Sequence, residues 1–377
     1  MHPPEGVKVK PGCVLKVLRS LYGLKQAARD WNECCTQALY KLGFKPIPSD
    51  PCVFTGPERM IIGLYVDDLI IAGPKLNSIQ NFKKAFGKRF KIKDLGEIRK
   101  VLGIRVRRDR ANRAIYLDQT AYINQFLQEH GMREVQHRPA QIPLNGYEAI
   151  RKANDSDARA DRLQYQSQIG SAMFAMVYTR PDIAFALGKL SQYVSDPAEY
   201  HQRAVKTLFR YLGGSSALAI RYSADSNTRV TGYSDADYGS ERDDRKSTIG
   251  TVFTFAGGAI SWSSRKQRSV STSTTEAEYI ALSHTAKHAC WIAQFFRDIG
   301  YPQYIGENAH TMRVYCDNQS SIALTKNAHL NERSKHIDIA YHHVRDLVQK
   351  ARVDIAYIST LKMVADGLTK LLLRDAF

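Results

Sequence analysis

The sequence lacks several features that would place it in a class at once. Its six cysteines form no CxxC pair, so neither a zinc site nor a disulfide framework is indicated. No apolar run approaches the roughly 20 residues of a membrane span, and no apolar run follows a basic start at the N-terminus, so no signal peptide is predicted. GxGxxG and P-loop motifs are absent. We therefore expect an intracellular protein with ordinary buried thiols and no membrane partner.

Acidic residues are also in short supply. Against 54 Lys and Arg there are 37 Asp and Glu, a formal net charge of +17, and such an excess attracts polyanions, most often nucleic acid. Between residues 83 and 110, twelve cations face three acids. This basic stretch is interpreted as a track for a phosphate backbone, with a solvated charged face as the alternative.

With 377 residues, of which 44% are hydrophobic, the chain is long enough for two or three domains. Residues 14–44 are predicted to be mainly helix, residues 52–72 a β-hairpin, and "TAYINQFLQEHGM" a short amphipathic helix that stops at Gly131. Polar, irregular residues at 133–160 and a second change near 223–228 suggest boundaries. Between them the pattern predicts helices that break at Pro181.

From residue 229 the pattern changes. It predicts three strands, a long helix, a strand, two helices, a fifth strand and a terminal helical turn. This order indicates a mixed five-stranded sheet with flanking helices. The fold class expected for the whole chain is α/β (α+β).

Four acids of this last region lie at the ends of predicted elements. Asp235 ends the first strand, Glu278 lies in the first turn of the long helix, Asp317 ends the fourth strand, and Asp366 starts the last helix. Gathered at one edge of a sheet, they would need cations, and Mg²⁺ prefers such oxygen ligands. Two ions there would support cleavage of a phosphodiester.

Each acid also has a structural alternative. Glu278 could complete a capping box with Thr275, Asp317 and Asp366 could cap helices, and Asp235 could sit in a turn with Asp237. Similarly, Asp67 and Asp68 interrupt the apolar run of "LYVDDLIIAG" and could be either a hairpin tip or a metal site. The histidines His336, His342 and His343 are weaker candidates, because no Cys or Glu lies at ligand spacing.

Ordered motifs along almost the whole chain resemble one family. "SLYGLKQAARDW", "DPCVF", "LYVDDLIIAG" and "LGIRV" resemble the reverse transcriptase of Ty1/copia-type LTR retrotransposon Pol polyproteins, and "TRPDIAFALGKLSQY" resembles its connecting segment. "GYSDADYGSERDDRKSTIGTVFTFAGGAISWSSRKQ", "STTEAEYIAL", "YCDNQSSIAL", "KHIDIAYHHVR" and "ADGLTK" resemble its ribonuclease H domain. The resemblance implies a partial palm and thumb at 1–140, a connection at 141–228 and a ribonuclease H-like domain at 229–371.

For the first domain, the resemblance implies that Asp67 is a metal ligand and Asp68 its companion, next to Tyr65. The helix of "SLYGLKQAARDW" would line the template and the incoming nucleotide, and the basic stretch would follow the primer–template duplex. The positions carried over to that helix are Gly23, Lys25 and Gln26.

This sequence departs from the family in one respect. The polymerase needs a third carboxylate from a strand that precedes the helix, whereas Glu5 is the sole acid in "MHPPEGVKVKPGCVLKV". We therefore expect the fingers and the first palm aspartate to be absent, and the chain alone not to synthesise DNA. We also expect poor solubility, from apolar sheet surface left uncovered. An upstream segment, if supplied, would restore a full RNA-directed DNA polymerase.

The ribonuclease H part looks complete by the same resemblance, which assigns Asp235, Glu278, Asp317 and Asp366 as catalytic metal ligands, with Glu276 as a rival for the helix acid. It implies two Mg²⁺ ions, with Mn²⁺ as a substitute, and hydrolysis of RNA in an RNA–DNA hybrid. The catalytic-loop histidine of many cellular enzymes is not evident in "STLKMVAD". Candidate backbone contacts are Arg245, Lys246, Arg265 and Lys266.

Two alternatives stay open beside that function: a non-catalytic nucleic-acid-binding relic, or a full RNA-directed DNA polymerase if an upstream segment is supplied. The partners expected are RNA–DNA hybrid and primer–template duplex, with other Pol products or a second copy as further candidates. The expected location is cytoplasmic particles or the nucleus.

Overall fold

A computed structural model describes residues 3, 5–18, 20–21, 23–132, 139–146, 150–241, 243–306, 309–326 and 338–372, without the side chains of 338–342. The chain divides into two compact units, Met1–Gly96 with Gln294–Tyr301 and Glu97–Ala293 with Pro302–Phe377. These units reflect packing and do not test the bounds 1–140, 141–228 and 229–371, which stay a prediction.

The first unit is built on one antiparallel sheet covered by two helices. Its elements in chain order are α1 (Ala27–Lys41), β1 (Lys45–Ile47), β2 (Asp50–Thr55), β3 (Ile61–Tyr65), β4 (Asp68–Ala72) and α2 (Leu76–Gly87). The strands lie in the order β1-β2-β3-β4. Alternate residues of β2 and β3, such as Phe54 and Ile62, pack against Leu39 of α1 and Phe82 of α2. The sheet therefore owes its core to side chains from one of its faces.

Two expectations for this unit need correction. The helix expected over 14–44 covers only Ala27–Lys41, because Val14 and Leu18 remain exposed and an apolar face without a partner does not stabilise a helix. The predicted hairpin over 52–72 is part of a longer meander, in which β2 and β3 are joined through a 3-10 turn at Pro57–Arg59. Its second hairpin, β3 to β4, turns at residues 66–67, next to the position expected for the acids.

The second unit contains a small sheet and a helical core. Its first elements are β5 (Lys100–Val101), β6 (Ile104–Asp109), β7 (Ala114–Asp118), α3 (Thr120–Glu129), α4 (Arg162–Tyr178), α5 (Ala184–Ser191), α6 (Glu199–Gly214) and β8 (Ile220–Ser223). The predicted helix at "TAYINQFLQEHGM" and the break at Pro181 are confirmed. The strand β8 pairs with β7, a link between distant parts of the chain.

The remaining elements form the mixed sheet expected from the sequence. They are β9 (Thr231–Ala236), β10 (Thr248–Phe255), β11 (Gly258–Lys266), α7 (Thr274–Asp298), β12 (Met312–Cys316), α8 (Gln319–Lys326), α9 (Asp338–Gln349), β13 (Val353–Tyr357) and a 3-10 turn at Val364–Leu368. The five strands lie in the order β11-β10-β9-β12-β13. Because β12 runs parallel to both β9 and β13, the carboxyl ends of these three strands share one edge. The α/β class is confirmed.

Hydropathy gives one further result. Among the described residues, no helix is both long enough and apolar enough to cross a membrane.

Candidate active site

The shared edge of β9, β12 and β13 gathers acidic side chains. Asp235 lies near the end of β9, and Asp317 directly follows β12. Asp366 lies in the 3-10 turn at Val364–Leu368, beside β9 and β10. That turn comes so close to β10 that a Cβ at Gly250 would lie 2.8 Å from the carbonyl oxygen of Ala365. Glycine at this position therefore allows Asp366 to reach the edge.

The carboxylates are close enough to share a cation. One oxygen each of Asp235, Asp317 and Asp366 lie within 4.8 Å of one another, and ligand atoms of Glu278, Cys316 and Asp317 meet the same limit. Asp317 belongs to both groups. The fold thus brings together the four acids that were predicted from strand ends and helix starts.

Hydrogen bonds orient the outer oxygens of this cluster. The hydroxyl of Thr369 donates to Asp235 Oδ2 at 2.5 Å, and the hydroxyl of Thr360 donates to Asp317 Oδ2 at 2.7 Å. Lys370 Nζ lies 3.0 Å from Asp366 Oδ2. The other oxygen of Asp366, Oδ1, is buried and has no hydrogen-bond partner within the part of the chain that the structure describes. A buried acceptor without a donor is costly unless a cation approaches it.

The electrostatics of the cluster also favour a cation. Burial, reinforced by Asp366 and Asp317 and opposed by the Thr369 hydroxyl, raises the pKa of Asp235 to about 6. Burial and the charges of Asp235 and Asp317 raise the pKa of Glu278 to about 9. Both shifts have the same cause, since negative charge is gathered in a poorly solvated place.

The donor set fits a hard divalent cation. Burial and the nearby Glu278 raise the pKa of the Cys316 thiol far above its ordinary value, and its sulfur is a soft donor that a hard cation disfavours. The carboxylate oxygens remain as donors, and these are the ligands of Mg²⁺ and Mn²⁺. Asp366 Oδ1 is an acceptor that such an ion would satisfy.

The structure separates the two glutamates at the start of α7. Glu276 Oε2 accepts hydrogen bonds from the backbone N–H and the hydroxyl of Thr272, both at 2.7 Å, while Ser273 caps the N–H of Glu276 at 3.1 Å. Glu276 thus has the capping role that the alternative interpretation gave to Glu278. Glu278 instead accepts a hydrogen bond from the backbone of Ala236 and faces Asp235.

The paired acids of the first unit have a different setting. Asp67 lies in the turn between β3 and β4, Asp68 begins β4, and both are exposed, as is Tyr65. Val66 takes a left-handed conformation with φ of 54°, and the Trp31 indole donates to its carbonyl at 2.5 Å. Among the described residues, no third acid, histidine or cysteine joins Asp67 and Asp68 in a group able to hold a metal.

The other candidates of the first unit lie just before α1. Gly23 has φ of 92°, a conformation that favours glycine. Lys25 and Gln26 are exposed, and Gln26 occupies the N-cap position of the helix. These side chains are accessible to a ligand.

The predicted backbone contacts of the second unit differ in their surroundings. Arg245 is exposed at φ of 57°, and Arg265 is exposed with Nη1 3.0 Å from His284 Nε2. Lys246 and Lys266 pair with Asp244 at 3.5 and 3.0 Å. The two lysines are therefore partly neutralised, whereas neither arginine forms an ion pair with an acid among the residues that the structure describes.

The histidine candidates give no site. His336 and the side chain of His342 lie outside the described residues. Where side chains are described, the groups able to hold a metal contain no histidine.

The chain is similar in sequence to a reverse transcriptase family and to transposon Pol polyproteins. The family model described as reverse transcriptase (RNA-dependent DNA polymerase) matches residues 1–145. The Pol polyprotein of transposon TNT 1-94 from Nicotiana tabacum is 38% identical over all of this chain and 28% of its own length. A transposon Ty5-1 protein of Saccharomyces cerevisiae is 31% identical over 75% of this chain and 92% of its own length. The chain belongs to the copia-type retrotransposon Pol family.

The similarity to the copia-type Pol polyproteins covers only part of their length. The chain spans about a quarter of the length of the Pol polyproteins, such as 25% of that of transposon RE1 from Arabidopsis thaliana. Among solved structures, a compost ribonuclease H1, LC11-RNase H1, covers 38% of this chain and 93% of its own, with 16% identity and a TM-score of 0.29. So low a TM-score supports no conclusion about function.

Several residues that contact or make room for the acids of this Pol chain were not predicted from the sequence. Thr360, Thr369 and Lys370 contact the carboxylates, and Gly250 makes room for Asp366. The only available signal was position, since Thr369 and Lys370 belong to the "ADGLTK" motif. Thr360 and Gly250 carry no signal of their own, because each acts through a neighbour distant in sequence.

Proposed function

We propose that this chain hydrolyses the RNA strand of RNA–DNA hybrids in a reaction that depends on divalent metal ions, and leaves a 3′-hydroxyl. The observation that carries the proposal is the convergence of Asp235, Asp317 and Asp366 within 4.8 Å, with a buried oxygen of Asp366 that no described residue satisfies. Membership of the copia-type Pol family supports a nucleic-acid enzyme.

The four acids would hold the ions. Asp235, Asp317 and Asp366 offer one group of oxygens, and Glu278 adds a donor beside Asp317. Mg²⁺ bound there, with Mn²⁺ as a substitute, would supply the Lewis acidity that activates water and stabilises the leaving oxygen in phosphodiester cleavage.

The side chains around the acids keep the site in order. Thr369 and Thr360 each hold one oxygen of an aspartate, which leaves the other oxygen to the cluster. Lys370 offsets part of the negative charge from its position on Asp366. Fixed ligands lower the cost of reorganisation when substrate binds, as second-sphere contacts do in other metal sites.

The substrate would be recognised as a polyanion of A-like shape. We propose that the exposed Arg245 and Arg265 contact the phosphate backbone of the nucleic acid. Lys246 and Lys266, each paired with Asp244, would add positive charge beside them. Contacts to phosphates and to the 2′-hydroxyl distinguish such a duplex without reading its bases. We therefore expect little dependence on base sequence.

The test uses 5′-labelled RNA annealed to DNA, the purified chain and Mg²⁺. We expect cleavage that is lost in EDTA, restored by Mn²⁺ and abolished by Asp317→Asn, because removal of a ligand acid disrupts the group that Asp317 shares. Circular dichroism of the variant controls for folding. If the folded wild-type chain binds the hybrid but does not cleave it, the proposal is wrong and the chain is a nucleic-acid-binding protein without this activity.

We further propose that this chain alone does not extend a primer. The support is the setting of Asp67 and Asp68, which are exposed and, in the described part of the chain, are joined by no third ligand. A two-metal polymerase site needs more than two adjacent acids to hold its ions. The measurement is incorporation of dTTP on poly(rA)/oligo(dT), and robust incorporation would contradict the proposal.

A further inference from the structure

The turn that follows β13 lies directly against the acid cluster. Residues 360–362 form a 3-10 turn, in which the hydroxyl of Thr360 reaches Asp317 Oδ2 at 2.7 Å. We call residues 359–364 the rim turn. Its position is tied to a ligand acid by a side-chain hydrogen bond, so anything bound at Asp317 lies next to it.

The rim turn is held firmly at both ends. Before it, the N–H of Ile358 donates to the carbonyl of Cys316 at 3.1 Å. Towards its end, Met363 is buried in an apolar cluster with Val252 and Leu368. Within it, the N–H of Lys362 bonds to Ser359 at 2.8 Å and that of Met363 to Thr360 at 3.0 Å. The turn is therefore a fixed projection, built from the same core that holds Asp366.

The residues at the tip of the rim turn remain in solvent. Leu361 is 100% exposed, Val364 is 53% exposed, and Lys362 is exposed beside them. Single exposed leucines are common on protein surfaces. In the rim turn, however, Leu361, Lys362 and Val364 lie on a turn that is anchored at both ends. Thr360 of the same turn contacts a carboxylate of the site. This combination matches a polymer with apolar sugar faces and phosphate charges.

We propose that the rim turn is a substrate-binding element, in which Leu361 and Val364 pack on the sugar faces of the RNA–DNA hybrid and Lys362 contacts a phosphate. The inference rests on the proposed function, because it takes the hybrid as the substrate. A duplex is much wider than the acid cluster, so a duplex whose phosphodiester reaches Asp317 also covers a projection bonded to Asp317. Burial of Leu361 on binding would then strengthen the complex.

Leu361 is unusually suitable for a test because its side chain contributes no burial to the fold. Leu361→Ser should therefore leave the melting temperature unchanged. We expect KM for the hybrid to rise about tenfold, the effect of about 1.4 kcal/mol of lost apolar contact, while kcat stays the same. The matched control is Leu163→Ser, which changes a leucine that is 71% exposed on α4 of the same unit.

Direct binding separates this inference from the proposed function. The dissociation constant is measured by fluorescence anisotropy with a fluorescein-labelled hybrid, in an Asp235→Asn background that is expected not to cleave. Leu361→Ser should weaken binding about tenfold. Lys362→Gln should lower the slope of log Kd against log salt by about one, with the exposed Lys206→Gln as control.

The outcomes are distinct. If the wild type cleaves the hybrid and Leu361→Ser has the same KM and Kd as the wild type, the substrate-binding role of the rim turn is wrong and the proposed function stands. Binding that Leu361→Ser weakens, without any cleavage by the wild type, would overturn the function and support the rim turn. A wild type that does not bind the hybrid would overturn both.

Discussion

The two sets of neighbouring carboxylates in this chain have opposite settings. Asp67 and Asp68 lie in and after a two-residue turn, in solvent, on a single hairpin. Asp235, Asp317 and Asp366 come from three separate elements of another sheet and meet within 4.8 Å. Asp67 follows β3 and Asp317 follows β12, but the fold has brought only the second set into a poorly solvated place.

Burial of the acids is the difference between the two sets that bears on function. Exposed acids at a hairpin tip are hydrated and need no partner, so their presence requires no explanation beyond a turn. Burial and neighbouring acids raise the pKa values of Asp235 and Glu278, and a buried oxygen of Asp366 lacks a donor among the described residues, a cost that a bound cation would relieve. Burial and charge at the second set thus favour a metal ion on physical grounds. A metal at Asp67 and Asp68 is indicated only by the family resemblance.

The largest expected effect separates the two glutamates of α7. Glu278→Gln should reduce hybrid cleavage by about a thousandfold or more, because it removes a ligand charge from the cluster. Glu276→Gln should retain most activity and lower the melting temperature modestly, because Glu276 bonds to Thr272 outside the cluster. Steady-state cleavage rates and thermal melts measure both. The reverse pattern would move the helix ligand to Glu276.

The next effect compares a buried ion pair of the second unit with an exposed pair of the first. Lys189 and Glu241 hydrogen-bond directly and are 7% and 4% exposed, and Gln192 donates to the same carboxylate at 3.1 Å. Glu241→Gln leaves the lysine buried without its anion, which should cost about 3–5 kcal/mol of unfolding free energy. Urea unfolding is the measurement.

The control for that pair is Glu33→Gln, which breaks the exposed contact of Glu33 with Arg29 on α1. Its unfolding midpoint should match the wild type. Replacement of both buried partners by Lys189→Met and Glu241→Leu should recover part of the loss. If Glu241→Gln is as harmless as Glu33→Gln, the pair is not the link between α5 and the loop after β9 that its burial indicates.

The smallest effect concerns pH. The pKa of Asp235 is raised in the fold to about 6, above an unfolded value near 4, so the folded chain binds more protons between these values. The stability that this group contributes is complete below pH 4 and is lost as the pH rises through about 6. In EDTA, Asp235→Asn should therefore raise the free energy of unfolding at pH 8 by on the order of 1–3 kcal/mol, and with it the melting temperature, but not at pH 4.

The hairpin supplies the contrast for the pH measurement. Asp68→Asn changes an exposed acid, so it should give the same melting temperature as the wild type at both pH values. Mg²⁺ should raise the melting temperature of the wild type at pH 8 and have little effect on Asp235→Asn. A wild type that Mg²⁺ does not stabilise would mean that the cluster holds no ion at the concentration used.

Local patterns predicted much of this fold. Alternation and turn residues were sufficient for β9, β10 and β11, and the helical period of α7 was clear, because each of these signals arises within one element. The same reasoning overextended α1 to residues 14–44, since periodic apolar residues such as Leu18 have no surface to cover in the structure. It also missed that β8 completes the sheet of β5, β6 and β7.

For the candidate site, Asp235, Glu278, Asp317 and Asp366 could be predicted from the sequence, because strand ends and helix starts can be recognised from neighbouring residues. That these acids meet, that Glu276 is a cap, and that Asp366 Oδ1 has no donor among the described residues became evident only in the folded chain. The reason is physical: distance, burial and hydrogen-bond satisfaction depend on elements that are remote along the chain, and no local pattern encodes them.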